Sequence, residues 1–433
     1  MSAGEDGAEG WGDDGEYGRT TIGTDMFGTQ EVPDYPAVGR IGGFEILGRI
    51  ARGGMAELYL ARARQGDGSV RHVVVKRVLT EMQHDAEMVR MFIEEGRIAR
   101  RLFHPNVCHV YECGEDQGLT YMALEWVHGV SLRDVIRRSQ QHGGIPVPIV
   151  VHVIAKIAAA LEYVHHARGI DGKPLAIIHQ DVSPHNVMLS WKGDVKLLDF
   201  GIAKTSAQAQ IASDRPQGKY EYMSPEQLRG APIDARSDIF ALGVCLHEAL
   251  CGRSLHGRES LPMIMSAVVE EPAPSVRSVR PELPEALDRI VAKALAKAPE
   301  ERFQSAAEMQ RALEAWLDQA GQNVSETRVA LIIGGLFDAE DKAPLRPGAA
   351  NITGTLPAIL SGEIELPRSS SDPPRERNRE PSLSDSATRT LVDEDPDDGG
   401  AKHERSVSLG VIGVSIGVAL VILITAWMFL AVR

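Results

Sequence analysis

Apolar and polar positions change rhythm several times along the chain. Phe44 to Ile50 alternates in the manner of a half-buried strand. The run Ala51-Arg52-Gly53-Gly54-Met55-Ala56-Glu57-Leu58-Tyr59-Leu60-Ala61 then turns into a second strand through two glycines. Val73-Val74-Val75-Lys76 is a short apolar strand that ends in a lysine. Ile177-Ile178 and Val187-Met188-Leu189 are apolar stretches separated by the polar run His179 to Asn186, and Val195-Lys196-Leu197-Leu198-Asp199-Phe200-Gly201 follows. Beyond residue 341 the apolar rhythm stops, and residues 342–408 are rich in Pro, Ser, Arg, Asp and Glu, which reads as a disordered linker. Leu409 to Val432 is then 24 residues without Asp, Glu, Lys, Arg, His, Asn or Gln.

A helix of that length extends about 36 Å, enough to cross ~30 Å of hydrocarbon with some tilt. A buried core helix is the competing reading, but core helices rarely run so far without a polar residue. Lys402, His403 and Arg405 precede the span and only Arg433 follows it, so the preceding side is expected to be cytoplasmic. The expected arrangement is a single-pass tail anchor in the cell membrane, with nearly the whole chain in the cytoplasm. Gly413 and Gly417 permit close helix approach, so a homodimer is a candidate state.

Residues 1–40 carry nine acids and two bases and no apolar run, which reads as a disordered acidic tail rather than a secretory leader. The whole chain of 433 residues has a formal net charge of −14, which argues against nucleic-acid binding through a basic surface. Hydrophobic content of 43% leaves residues 41–340 able to bury a large core. The four cysteines, Cys108, Cys113, Cys245 and Cys251, form no CxxC pair, so they read as reduced thiols.

Chemistry concentrates at four places. A glycine turn between strands lets backbone N–H groups approach phosphate oxygens. A lysine ending a buried strand needs an anionic partner. An Asp and an Asn at the ends of neighbouring strands, Asp199 and Asn186, are hard oxygen ligands suited to Mg²⁺. Tyr222-Met223-Ser224-Pro225-Glu226 and Ser237-Asp238-Ile239-Phe240 complete the set.

In order and spacing, Lys76, His179-x-Asp181, Asn186, Asp199-Phe200-Gly201 and Ser224-Pro225-Glu226 resemble the signature set of the protein kinases, specifically bacterial kinases of the eukaryotic-like Ser/Thr type. The resemblance covers about residues 44–317. It implies an α+β fold of two lobes: a small β-rich lobe from about 41 to 127 and a larger helical lobe to about 317. It implies ATP and Mg²⁺ (or Mn²⁺) as cofactors and proteins as substrates. By position, Gly53 and Gly54, flanked by Ile50 and Leu58, would cover ATP, and Lys76 would hold its α- and β-phosphates, with Glu95 as its helix partner. Leu124 would be the gatekeeper, Glu125, Trp126 and Val127 the adenine-bonding hinge, and Met188 the floor under the ring. Asp181 would orient the substrate hydroxyl and accept its proton, while Asn186 and Asp199 would bind metal. Glu226 would pair structurally with Arg302, Asp238 would brace the catalytic loop, and His179 would be scaffold. Residues 318–341 would be a helical extension packed on the large lobe.

The chain departs from the family pattern at several positions. Ala51 and Ala56 stand where the first and third loop glycines are usual, which restricts the backbone. Val74 replaces an alanine and narrows the adenine pocket. Ser183 replaces a lysine that neutralises the transferred phosphate, and Lys219 stands at the usual threonine. These substitutions keep open an alternative, a pseudokinase serving as a membrane-tethered nucleotide-binding scaffold. Linker threonines such as Thr353, Thr355, Thr388 and Thr390 are candidate docking points for phosphothreonine-binding partners. Gln180 replaces the arginine that reads an activation-loop phosphate. Activity is therefore expected to persist in full after phosphatase treatment; loss of most of it, measured as phosphate transfer per protein, would refute that reading.

Overall fold

A computed structural model describes residues 35–66, 68–199 and 217–345. The acidic tail up to residue 34, Phe200 and Gly201, Thr205, Ser206 and Ser213 (candidate phosphate acceptors between Asp199 and Glu226), the linker from residue 346 and the span 409–432 lie outside the described residues.

The small lobe is a six-stranded antiparallel sheet of β1 (Gly39–Ile41), β2 (Phe44–Arg52), β3 (Ala56–Arg64), β4 (Val70–Val78), β5 (Val110–Asp116) and β6 (Leu119–Glu125). The strand order is β1-β2-β3-β4-β6-β5. Side chains alternate across a strand. In β4 that alternation puts Val73 and Val75 in one small core with Ile46, Ala61 and Tyr121. Lys76 and Val78 fall on the opposite face, where Val78 packs with Met122 and Phe92.

Helix α1 (Ala86–Ala99) covers that second face. The Asp85 carboxylate caps its start by accepting from the Glu87 and Met88 amides at 3.1 and 3.0 Å. Its buried positions Phe92, Glu95, Gly96 and Ala99 form one stripe. At Gly96 an added Cβ would lie 2.3 Å from Cys113 Sγ, so glycine lets the helix sit close against the sheet. That approach brings Glu95 in toward β4.

The large lobe contains β7 (Gly129–Ser131), β8 (Val187–Ser190) and β9 (Val195–Leu197), paired in that order as a small antiparallel sheet. Its helices are α2 (Leu132–Ser139), α3 (Val147–His165), α4 (Pro225–Leu228), α5 (Ala235–Cys251), α6 (Leu261–Val269), α7 (Val276–Val279), α8 (Glu285–Ala294), α9 (Ala306–Gln319) and α10 (Glu326–Leu336). Among the described residues α3 alone is long and apolar enough to cross a membrane, yet it is the core helix of this lobe, packed against α5 and α9. All four cysteines are free, and burial pushes the Cys108 and Cys245 thiols up.

One buried ion pair ties the start of α4 to the region after α8. The Arg302 side chain is fully enclosed. Its Nη1 and Nη2 donate to the two Glu226 carboxylate oxygens at 2.7 and 2.8 Å. The remaining N–H groups reach the carbonyls of Ala296, Arg236 and Lys297. Ser237 Oγ donates to Glu226 at 2.6 Å. Burial raises the Glu226 pKa, but Arg302 and Ser237 outweigh it and hold the carboxyl below its ordinary value.

Arg302→Met would strand Glu226 in the interior and is expected to lower unfolding free energy by about 3–5 kcal/mol, read by urea denaturation. Because the folded pKa of Glu226 is depressed, the contribution is fully present above the unfolded carboxyl pKa of 4.5 and is lost as pH falls through the folded value. The gap between parent and Arg302→Met should therefore shrink in acid.

Candidate active site

The charged centre lies where β4, α1 and the segment after β9 meet. Lys76 Nζ is 3.4 Å from Glu95 Oε1 and 3.2 Å from Asp199 Oδ1. Burial disfavours the ammonium, but the charges of Asp199 and Glu95 outweigh it and hold Lys76 above its ordinary pKa. Lys76 is therefore a permanent cation held between two carboxylates. The neighbouring Glu94 points outward and pairs with Arg97 at 3.6 Å. Asp199 has φ +40, an uncommon left-handed backbone.

The glycine turn is closed by Gly53 N–H donating to Ala56 C=O at 2.8 Å. Ala51 pairs with Leu58 just after a register shift in β2, and Ala56 pairs with Val78 in unbroken register. Neither alanine takes a positive φ, so the restriction anticipated for them carries no backbone strain. Ile50 and Leu58 are half-buried at the two sides of this turn, Gly53 is buried and Gly54 exposed. Glu57, buried beside the turn, accepts from Arg49, Arg77 and Tyr59 at 2.9, 3.1 and 2.7 Å, and pins the turn to β4.

At the junction of the lobes, the Glu125 amide donates to His109 C=O at 2.8 Å. Its carboxylate pairs with Lys196 at 2.7 Å and accepts from the His109 amide at 3.2 Å. Leu124 is half-buried, while Val127 and Met188 are buried. The Glu125–Lys196 pair is absent from the sequence reading. Its signal was available, because Lys196 sits in an apolar strand just as Lys76 does.

The loop carrying Asp181 is set by hydrogen bonds to its own backbone. Asp238, in α5, is almost fully buried and accepts from the His179 and Gln180 amides, both at 2.8 Å. His165 Nε2 lies 2.8 Å from the same carboxylate. Burial raises the Asp238 pKa, but His165 and these amides hold it below the ordinary value. Gln180 takes φ +61, a strained conformation that these bonds help to hold. The Asp181 amide donates to His179 Nδ1 at 3.3 Å, so the ring proton is on Nε2, which donates to Leu198 C=O at 3.0 Å. His179 thus ties the Asp181 loop to the segment carrying Asp199.

Asn186 Nδ2 donates to the Asp181 carbonyl and carboxylate at 2.7 and 3.1 Å. Its Oδ1 is buried without a hydrogen-bond partner among the described residues. A buried acceptor with no donor is destabilising unless something positive approaches it. That oxygen, with the Asp199 carboxylate, is a sparse hard-oxygen donor set of the kind that suits Mg²⁺ shared with phosphates. Ser183 is buried and its carbonyl accepts from the Asn186 amide at 2.9 Å.

Asp238→Asn weakens bonds to the amides of His179 and Gln180. Hydrogen bonds to a charged acceptor contribute about 1.5–3 kcal/mol, so turnover is expected to fall about 10- to 100-fold. Faster hydrogen exchange at residues 177–181 should accompany the loss, measured by mass spectrometry.

The family model described as the protein kinase domain matches residues 44–314. The chain is 35% identical over 333 residues to the tyrosine-protein kinase MasK of Myxococcus xanthus, covering 76% of this chain and 51% of that one. It is 32% identical over 278 residues to the serine/threonine-protein kinase PrkC of Bacillus subtilis, covering 64% of this chain and 41% of that one. It thus spans about half the length, or less, of these curated relatives. The solved kinase domain of Mycobacterium tuberculosis PknI is 27% identical, with a TM-score of 0.49, over 65% of this chain and 98% of that one. The chain belongs to the protein kinase family.

Proposed function

We propose that this member of the protein kinase family transfers the γ-phosphoryl group of ATP to Ser or Thr hydroxyls of proteins, itself included, while tethered to the membrane through residues 409–432. The observation that carries the catalytic reading is the buried cation Lys76 held between Glu95 and Asp199 at 3.4 and 3.2 Å. Phosphoryl transfer runs through a loose transition state, so the protein mainly positions groups and supplies positive charge. In this reading Lys76 holds the α- and β-phosphates, and Glu125 and Val127 bond adenine through their backbone. Ile50, Leu58 and Met188 enclose the ring, while Gly53 and Gly54 cover the phosphates. Asp181 accepts the proton of the attacking hydroxyl as that oxygen bonds to the γ-phosphorus and ADP leaves. Asn186 Oδ1 and Asp199 would hold Mg²⁺, whose chemistry is to neutralise phosphate charge.

The Tyr222-Met223-Ser224-Pro225-Glu226 phrase and the naming of PrkC favour Ser/Thr. A tyrosine-directed reading is favoured by the similarity to the tyrosine-protein kinase MasK and by Ser183 at the usual lysine position. Phosphothreonine-binding partners at the linker and a homodimer through Gly413 and Gly417 belong to the same proposal.

The test is radiolabel transfer from ATP with Mg²⁺ by the full chain in lipid, with Asp181→Asn as control and phosphoamino-acid analysis of the product. Transfer to Ser or Thr, falling about 10²- to 10⁴-fold in the control, is the expected result. Label on tyrosine alone would move the chain to the second reading. Folded protein that holds ATP yet transfers nothing would make it a nucleotide-binding scaffold.

A further inference from the structure

The chain does not end its packing on the large lobe with α10. Phe337, the next residue, lies edge-on to Trp191 with ring centroids 5.5 Å apart, and the Arg138 guanidinium sits 5.2 Å from its ring centre. Arg138 also forms an ion pair with Asp341. Lys342 Nζ donates to Gly334 C=O at 2.8 Å and lies 5.7 Å from the Trp191 ring centre. These contacts anchor the segment on the large lobe.

The same segment then crosses the junction. His128 Nε2 is 2.8 Å from Lys342 C=O, and the His128 ring stacks on Trp126 with centroids 4.7 Å apart. Trp126 and His128 flank Val127, so the connecting segment between β6 and β7 is clasped directly. Leu345 ends on the small lobe. Tyr35 donates its hydroxyl to Leu345 C=O at 3.3 Å. A Cβ built on Gly48 would lie 2.8, 3.1 and 3.5 Å from three Leu345 side-chain atoms, so the absence of a side chain there makes room for the leucine. Gly48 is in β2, two residues before Ile50.

We propose that residues 337–345 are a strap that joins the two lobes across their hinge and stabilises the closed arrangement in which Lys76 meets both Glu95 and Asp199. A segment with contacts on both lobes has differential affinity for closed and open forms, and it biases the equilibrium by that difference. The strap leads directly into residues 346–433, so events on that part of the chain gain a mechanical route to the nucleotide cleft. The consequence for ATP rests on the kinase reading above; the lobe-joining itself does not.

The test uses the full chain in lipid. Gly48→Val puts a strand-compatible side chain where Leu345 sits, and Leu345→Ala removes the leucine. Leu331→Ala, on the exposed side of α10, is the control. Hydrogen exchange at residues 35–41 and 125–128, without nucleotide, reads the clasp. Both strap variants should speed that exchange and raise KM for ATP about five- to tenfold. Turnover at saturating ATP and the melting temperature should change little, and the double variant should be no worse than either single one. Unchanged exchange, or unchanged or lowered KM, would overturn the proposal. If the parent binds no ATP, the kinase reading fails, and the exchange measurement alone still decides whether the strap joins the lobes.

Discussion

A lysine ammonium inside the protein is the constraint on which the rest of the structure turns. Burying such a charge costs several kcal/mol unless carboxylates meet it. No single element can supply both. Glu95 comes from α1 and Asp199 from the segment after β9, while Lys76 belongs to β4. The sheet, the helix and the large lobe must therefore be in register before the charge is satisfied. The smaller details serve that register: Gly96 lets α1 close on the sheet, and the Asp85 cap fixes where the helix begins. His179 holds the Asp199 segment through Leu198.

The Asp181 loop shows the same logic with the signs reversed. Here the buried charge is the carboxylate of Asp238, met by two backbone N–H groups and by His165. Using amides as partners fixes a backbone conformation, including the unusual φ of Gln180, rather than only a side-chain position. Catalytic loops benefit from that, since small misplacement of a reacting group is costly in rate.

Much of this was legible in the sequence, for reasons that differ by residue. Lys76 announced itself because a lysine in an apolar strand demands a partner, and the two-lobed fold was implied by the resemblance of the polar motifs to those of the protein kinases. Lys196 offered the same signal, but its partner Glu125 is 71 positions away and no local pattern links them. Ala51 and Ala56 read as restrictions because the family position suggested special backbone angles; neither takes a positive φ, so alanine fits there without strain. Residues 318–341 were expected to be a helical extension; in the structure α10 lies against α2. Its continuation onto Gly48 and Tyr35 was invisible, because a contact between residues about 300 positions apart leaves no periodicity to read.

The apolar core helix α3 has a consequence for the growing chain. Its partners α5 and α9 begin only at Ala235 and Ala306, so the last of them emerges 141 residues after His165. At synthesis rates of 5–20 residues per second, α3 stays without α9 for roughly 7 to 28 s. During that interval the ribosome presents a 19-residue stretch that qualifies by length and hydropathy for the bilayer, and only the arrival of the second half of the large lobe commits it to the protein interior. The order of synthesis thus makes the folding of this lobe a race between a protein core and competing apolar surfaces.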